Sequence, residues 1–389
     1  MTRKIKTLNA ISKQGLSRLP DDYVVGNDVA DPDAILVRSS DMHALEIPAS
    51  VLAVGRAGAG TNNIPIKAMS DKGIVVFNTP GANANAVKEL VLCGMLMGVR
   101  NVVPAANFVA GLQGDEETLH KRVEAEKKQF VGHELSGSTL GIVGLGAIGS
   151  LLAEAALALG MKVIGIDPEI TVDAAWRLPS QVKRATIIEE LLKHADFVSL
   201  HVPLLPATRD LINAERVKVM KRGAVLLNFA REGIVDNQAV VDGLNAGRLH
   251  AYICDFPSNV LRQHPRAIAI PHLGASTEEA EENCAMMVAD QVTDYLQNGN
   301  IRNSVNFPGI TMPRGSGYRL AIANANVPNM LGQISTALAT AGLNINNMTN
   351  KSRGELAFTL VDVETEVPQA VIDQLTAIQG VLRVRYLPG

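Results

Sequence analysis

From residue 22 to 80 short apolar runs alternate with polar or glycine-containing stretches: Tyr23-Val24-Val25, Ala34-Ile35-Leu36-Val37, Val51-Leu52-Ala53-Val54 and Ile74-Val75-Val76-Phe77. Runs this short, without polar alternation inside them, suit strands covered on both faces, so the segment reads as a parallel α/β sheet. Residues 84–99 place apolar positions at 87, 90, 91, 94, 95 and 98, the spacing of one helix face. A second α/β unit begins near Ser138, with strands expected at 139–143, 162–166, 197–201, 224–228 and 267–270 and helices at 186–194 and 237–246. After Ser276 a long helical pattern runs to Asn298. Its opening, Ser276-Thr277-Glu278-Glu279, fits a capping box, and Glu278, Glu279, Glu281 and Glu282 read as charges favoured at a helix start.

Residues 306–317 contain two prolines and three glycines with little to bury, and read as a linker. Beyond them the pattern is strand, helix, strand, strand, helix, strand over 318–389. That order predicts a ferredoxin-like α+β domain.

Composition narrows the picture by exclusion. Among 389 residues, 36 Lys and Arg face 39 Asp and Glu, so a net charge of −3 gives no long-range attraction to nucleic acid or an acidic membrane. Cys93, Cys254 and Cys284 match neither metal-ligand spacing nor a disulfide framework, which suits a reducing cytosol and no metal. Met1 to Leu19 is basic but lacks the apolar run of an export signal. The longest apolar stretch, Leu90 to Val99, is about half the ~20 residues of a membrane span. The expectation is a soluble, cytoplasmic protein of two or three domains.

The first candidate chemistry lies at Gly144-Leu-Gly146-Ala147-Ile148-Gly149, between a strand and a helix, with Asp167 ending the next strand. One glycine permits a tight turn, one lets backbone approach a pyrophosphate, and one lets helix pack on strand, while free N–H groups at the helix start face the anion. An acidic side chain at 167 accepts hydrogen bonds from ribose hydroxyls and repels a 2′-phosphate, so NAD is expected rather than NADP.

Two further titratable or charged residues follow strand ends, Arg231 after 224–228 and His272 after 267–270. In open α/β sheets ligands bind there, although either residue alone also reads as a solvated or structural side chain. Taken together, Asn228-Phe-Ala-Arg231-Glu-Gly-Ile-Val-Asp236, Asp255 before Phe256-Pro257, and Pro271-His272-Leu-Gly-Ala-Ser-Thr277 resemble the signatures of D-2-hydroxyacid dehydrogenases. Val54-Gly55-Arg56-Ala57-Gly58-Ala59-Gly60 and Asn78-Thr79-Pro80-Gly81 resemble the substrate-side loops of that family. The tail, with Pro328 before its first helix and Gly342-Leu343-Asn344-Ile345 after it, resembles an ACT domain. That pairing narrows the resemblance to the branch of the family that oxidises 3-phosphoglycerate at the start of serine synthesis.

The resemblance implies two Rossmann-like parallel-sheet domains with a cleft between them. Residues 1–96 and 287–305 would bind substrate, 97–286 the cofactor, and 318–389 would regulate. It makes His272 the general base that takes the C2 hydroxyl proton, and Arg231 the clamp on the carboxylate and C2 oxygen. Asp255 would bond the nicotinamide amide. His201-Val202-Pro203, Phe229 and Ala230 join Gly144, Gly146, Ala147, Ile148, Gly149 and Asp167 as cofactor contacts. Substrate phosphate needs a cation, for which Arg38 and Arg56 are candidates, with a surface salt bridge the alternative for Arg38. The Gly-rich turn with Ala57 and Gly58 could hold a carboxylate by backbone N–H groups. Asn324, Asn326 and Asn344 stand where the family's tails bind L-serine, and the resemblance implies a homo-oligomer. Reduction of another 2-oxo acid such as glyoxylate or hydroxypyruvate, and NAD sensing without turnover, remain alternative readings. One departure stands out: the family's carboxylate partner for the histidine is missing, because residues 256–271 contain neither Asp nor Glu.

Overall fold

The computed structural model describes residues 2–315 and 317–389. Met1, and Ser316 of the expected linker, lie outside the described residues. Contacts divide the chain into two units, one formed by residues up to Asn83 together with Glu278–Gly389, the other by Ala84–Thr277. These divisions fall before the 96/97 and 286/287 boundaries expected from sequence.

The unit Ala84–Thr277 is built on a seven-stranded sheet in the order Ala267–Ala269, Leu249–Cys254, Ala224–Asn228, Phe197–Leu200, Thr139–Val143, Lys162–Ile166, Lys183–Arg184. Every pairing in it is parallel. Both faces are covered. Helices Ile188–His194 and Asn237–Asn245 pack on one side, and Ala84–Arg100 with Ala147–Ala158 on the other, which is why the strands read as unbroken apolar runs. The strand Leu249–Cys254, absent from the sequence expectation, sits one place from the sheet edge, and its one half-buried position is His250, which masks the apolar run.

The other unit carries a five-stranded parallel sheet in the order Val24–Gly26, Lys4–Leu8, Ala34–Val37, Ala53–Arg56, Val75–Phe77. Lys4–Leu8 lies inside this sheet although its sequence, Lys-Ile-Lys-Thr-Leu, presents only two apolar residues. The basic start of the chain is therefore a strand, and its pairing on both edges outweighs its weak propensity.

The same unit contains the ferredoxin-like tail, an antiparallel sheet in the order Ile345–Arg353, Leu356–Val363, Tyr318–Ala325, Val381–Leu387. Helices Met330–Thr340 and Gln369–Thr376 cover one face through Ile334, Leu338, Val371 and Leu375. Ala321, Ala323, Phe358 and Leu360 on the opposite face join the core of the parallel sheet and of the helix Glu278–Asn298. An aromatic chain continues this contact, Phe77 to Tyr295 at 5.5 Å between ring centroids, Tyr295 to Phe358 at 6.2 Å and Phe358 to Phe307 at 5.9 Å.

The segment 306–317 corrects the expectation of a linker with little to bury, since Phe307, Ile310 and Met312 are all in the core. Arg319 ties the end of this segment to the tail. Fully buried, it donates from Nε and Nη2 to Asp362 at 2.6 and 2.8 Å, and to the carbonyls of Asn298, Met312 and Pro313, each at 2.9 Å. All five guanidinium N–H groups are thus used. Arg385 donates to the carbonyls of Tyr295 and Leu296 and stacks over the Tyr295 ring at 4.4 Å. The helix Glu278–Asn298 has no basic residue in its last turn, so the tail supplies the cations that its terminal carbonyls favour.

Candidate active site

Register assembles the chemistry in the unit Ala84–Thr277. Val143 pairs with both Ile166 and Leu200, so the next residues, Gly144, Asp167 and His201, emerge side by side at the carboxyl ends of three neighbouring strands. Asn228 pairs with Cys254 and Cys254 with Ala269, which brings the loops bearing Arg231, Asp255 and His272 to the same edge.

The glycine motif behaves as its spacing implies. Gly144 has φ +94°, a left-handed conformation open mainly to glycine, and a side chain there would meet the His201 carbonyl at 2.4 Å and Val202 at 3.0 Å. At Gly149 a Cβ would lie 2.0 Å from the Gly144 carbonyl oxygen, so helix and turn touch backbone to backbone. Gly146 faces open space, caps the helix Ala147–Ala158 and gives it no side-chain partner for its first N–H groups. Such an exposed, uncapped helix start is what a pyrophosphate requires. Asp167 accepts from Leu145 N–H at 2.9 Å through one oxygen and from Glu169 N–H at 3.0 Å through the other. It therefore also holds the turn, a structural role that leaves lone pairs on both oxygens for ribose hydroxyls.

Asp255 is the strongest sign of an absent partner. It is 1% exposed; its Oδ2 accepts from Gly274 N–H at 3.3 Å, while Oδ1 is buried with no hydrogen bond. Burial pushes its carboxyl up from the usual range, opposed by the nearby His272 and Arg231. A buried acceptor without a donor costs free energy, and a carboxamide N–H such as that of nicotinamide is a donor type that would satisfy it. His201 is similar: burial pulls its imidazole down to about 4, Nε2 shares a hydrogen bond with Ser199 Oγ at 2.9 Å, and Nδ1 is buried without a partner. The residues present thus fit a dinucleotide.

Asn228, which sequence reasoning left without a role, positions Arg231. Fully buried, it donates from Nδ2 to the Arg231 carbonyl at 2.9 Å and accepts from Ala230 N–H at 3.1 Å, shaping the loop that exposes Arg231. The Arg231 guanidinium donates to the Ala230 carbonyl at 2.6 Å. His272 is exposed, with its ring 5.0 Å from that of Phe256. Pro203 is exposed at the same strand end as His201 and Val202, and Ala230 is half-buried. Phe229 differs from expectation: its side chain is 4% exposed and packs in the core against Gly94, so only its backbone can face a ligand. The cause is the pleat, which turns alternate residues to opposite faces.

In the other unit, Arg38 follows the strand Ala34–Val37 and its Nη2 donates to Glu281 Oε1. Arg56 ends the next strand, and a Cβ at Gly58 would lie 2.1 Å from its Nη1, so the guanidinium lies across the turn where a side chain would stand. Ala57 N–H donates to the Val37 carbonyl at 2.8 Å and Gly58 N–H to the Arg56 carbonyl at 2.9 Å. Those two donors are committed to the fold, which corrects the expectation that the N–H groups at 57 and 58 hold a carboxylate.

In the tail, Asn324 and Asn326 line a pocket of about 200 Å³ together with Asn329 and Asn350, and Asn344 is not among its lining residues. Asn324 is buried and donates to the Ala325 carbonyl at 2.8 Å, and Asn326 donates to the Gly354 carbonyl at 3.0 Å. Among the described residues no cluster of His, Cys, Asp and Glu could hold a metal ion, and no helix is long and apolar enough to cross a membrane.

Two expected results follow from this geometry. Asp167→Ala removes ribose hydrogen bonds, so kcat/KM for NAD falls about tenfold and the preference over NADP narrows; equal use of both cofactors by the unmodified protein contradicts the assignment. Asp255→Asn weakens turnover yet leaves the free protein as stable or more stable. Its raised carboxyl pKa means the native state holds the proton more tightly than the unfolded chain, so stability from this group is present in acid and lost as pH rises through the native value. The melting-temperature advantage of the Asn variant therefore grows from about pH 4 toward neutrality, and a lower melting temperature at pH 7 rules this out.

The profile of "D-isomer specific 2-hydroxyacid dehydrogenase, NAD binding domain" matches residues 95–274. The chain is 36% identical to a D-3-phosphoglycerate dehydrogenase of Haemophilus influenzae over 88% of this chain and 83% of that one. It is 38% identical to one of Methanocaldococcus jannaschii over 72% of this chain, but spans only 53% of that longer protein. Among solved structures, the NAD+-bound 3-phosphoglycerate dehydrogenase of Entamoeba histolytica superposes with a TM-score of 0.59 at 28% identity, covering 79% of this chain and 99% of that one. With its glycine turn, its Arg231, Asp255 and His272 at adjoining strand ends and these relatives, the chain belongs to the D-isomer specific 2-hydroxyacid dehydrogenases.

Proposed function

We propose that this protein oxidises D-3-phosphoglycerate to 3-phosphohydroxypyruvate with NAD, the first step toward serine, in the cytoplasm. The observation that carries the reading is the convergence of Arg231, Asp255 and His272 beside a dinucleotide turn, with the orphaned Asp255 Oδ1 as acceptor for the cofactor's amide. Residues 84–277 hold the cofactor in this reading, and residues up to 83 with residues 278–305 supply the substrate side.

His272 accepts the C2 hydroxyl proton as the C2–H bond breaks, and Arg231 holds the carboxylate and the C2 oxygen with its planar fork. NAD held by the turn at Gly144, Gly146 and Gly149, by Asp167 and by Asp255 would supply the acceptor for the hydride from C2. Arg38 and Arg56, in the other unit, are the cations proposed for the phosphate of the substrate. Production of NADH, followed at 340 nm across a panel of 2-hydroxy acids, tests the reading. Turnover restricted to unphosphorylated acids points to a reductase of glyoxylate or hydroxypyruvate instead.

A homo-oligomer belongs to the same proposal. The helix Val102–Ala110 reads Val-Val-Pro-Ala-Ala-Asn-Phe-Val-Ala yet has no buried residue, and Val102 and Val109 are about half exposed. A second copy would cover this apolar surface; a monomer by light scattering argues against it. L-serine is the proposed effector at the asparagine-lined pocket of the tail, and absence of any effect of L-serine on activity or thermal stability removes that part.

A further inference from the structure

We infer that Glu281 is a specificity-setting counterion for Arg38, competing with the anionic group of the substrate for that guanidinium. The inference rests on the reading above, in which Arg38 meets the phosphate, and adds to it the residue that decides how strongly.

Glu281 stands in the first turn of the helix Glu278–Asn298, where sequence alone explains it as a helix-start charge. The structure gives it a second role. Its Oε1 accepts from Arg38 Nη2, with the two side chains 41% and 40% exposed for Arg38 and Glu281. Arg38 follows the fully buried Val37, so its backbone is fixed while its guanidinium reaches solvent.

A second observation locates the same spot. The buried Cys284 thiol is raised by burial and lowered by Thr79, and beyond these it feels Arg56 and Arg38 pulling it down and Glu281 pushing it up, so two cations and one carboxylate lie within electrostatic range of one side chain. Glu281 is the carboxylate that offsets this pair of cations. Glu279, in the same turn, is exposed and forms no salt bridge with Arg38.

A half-exposed ion pair is weak in water, so a phosphate dianion can take Arg38 from a monoanionic carboxylate. Glu281 then costs every phosphorylated ligand a part of its affinity and costs a ligand without an anion at that end nothing.

Glu281→Gln keeps size and polarity and removes the charge, and Glu279→Gln removes an equal charge from the same turn as a control. The expected result for Glu281→Gln is a KM for 3-phosphoglycerate lower by about two- to fivefold, with kcat and the KM for D-glycerate unchanged. Thermal-shift titration with inorganic phosphate should show tighter binding by a similar factor. Glu279→Gln should behave as the unmodified protein. A KM that stays or rises, an equal effect of Glu279→Gln, or phosphate binding that Glu281→Gln does not strengthen overturns the inference. If the unmodified protein does not oxidise 3-phosphoglycerate, the functional reading fails by itself, and the phosphate titration alone decides the role of Glu281.

Discussion

Replacing His272 by Asn is expected to abolish turnover while the protein still binds NAD. Asparagine keeps the size and a hydrogen-bonding edge but cannot take a proton, and general-base catalysis by a placed side chain contributes about 10²–10⁴-fold. The proposed cofactor contacts on the glycine turn, Asp167 and Asp255 are untouched, so quenching or thermal stabilisation by NADH should persist. Residual activity above about a tenth of the original would remove His272 from the role of base.

Among the described residues the His272 ring packs against the Phe256 ring, and no carboxylate is hydrogen-bonded to the imidazole. This agrees with the missing acidic residue between Phe256 and Pro271.

The second large effect concerns the tail. Arg319→Met should destabilise the unit containing it by about 3–5 kcal/mol, because it strands Asp362 and three backbone carbonyls in the core. Replacing both Arg319 and Asp362 by apolar residues of similar volume should recover part of the loss, since an uncompensated charge costs more than a missing pair. Urea denaturation followed by circular dichroism measures both. A change below about 1 kcal/mol in the single variant would show that water reaches the guanidinium and that the tail is not fixed as described.

The motif-bearing parts of this protein were legible because they are local. Gly144, Gly146 and Gly149 are required by one turn, and Arg231 and His272 each follow a strand that shows in the apolar pattern, whereas Asp255, after a strand the pattern missed, is picked out only by the resemblance to the family. The tail's order of strands and helices follows from periodicity alone. Less was legible where a segment depends on its neighbours. Lys4–Leu8 reads only as part of a basic segment until it is paired on both edges, and residues 306–317 look like a spacer until Phe307, Ile310 and Met312 find a core. Phe229 carries a motif position but faces inward, which only the pleat decides.

By itself, then, the sequence determined the periodic elements, the dinucleotide turn and the identities of the groups that can bond, donate or accept a proton. These depend on backbone preference and on burial repeating every two or three to four residues, both expressed within a few positions of each other. The tertiary structure alone decided which charges meet. Arg38 and Glu281 are 243 residues apart, Arg319 and Asp362 are 43 apart, and Arg385 reaches the carbonyl of Tyr295 across 90 residues. No local pattern encodes such pairs, because an ion pair is set by the register and packing of the elements that carry it.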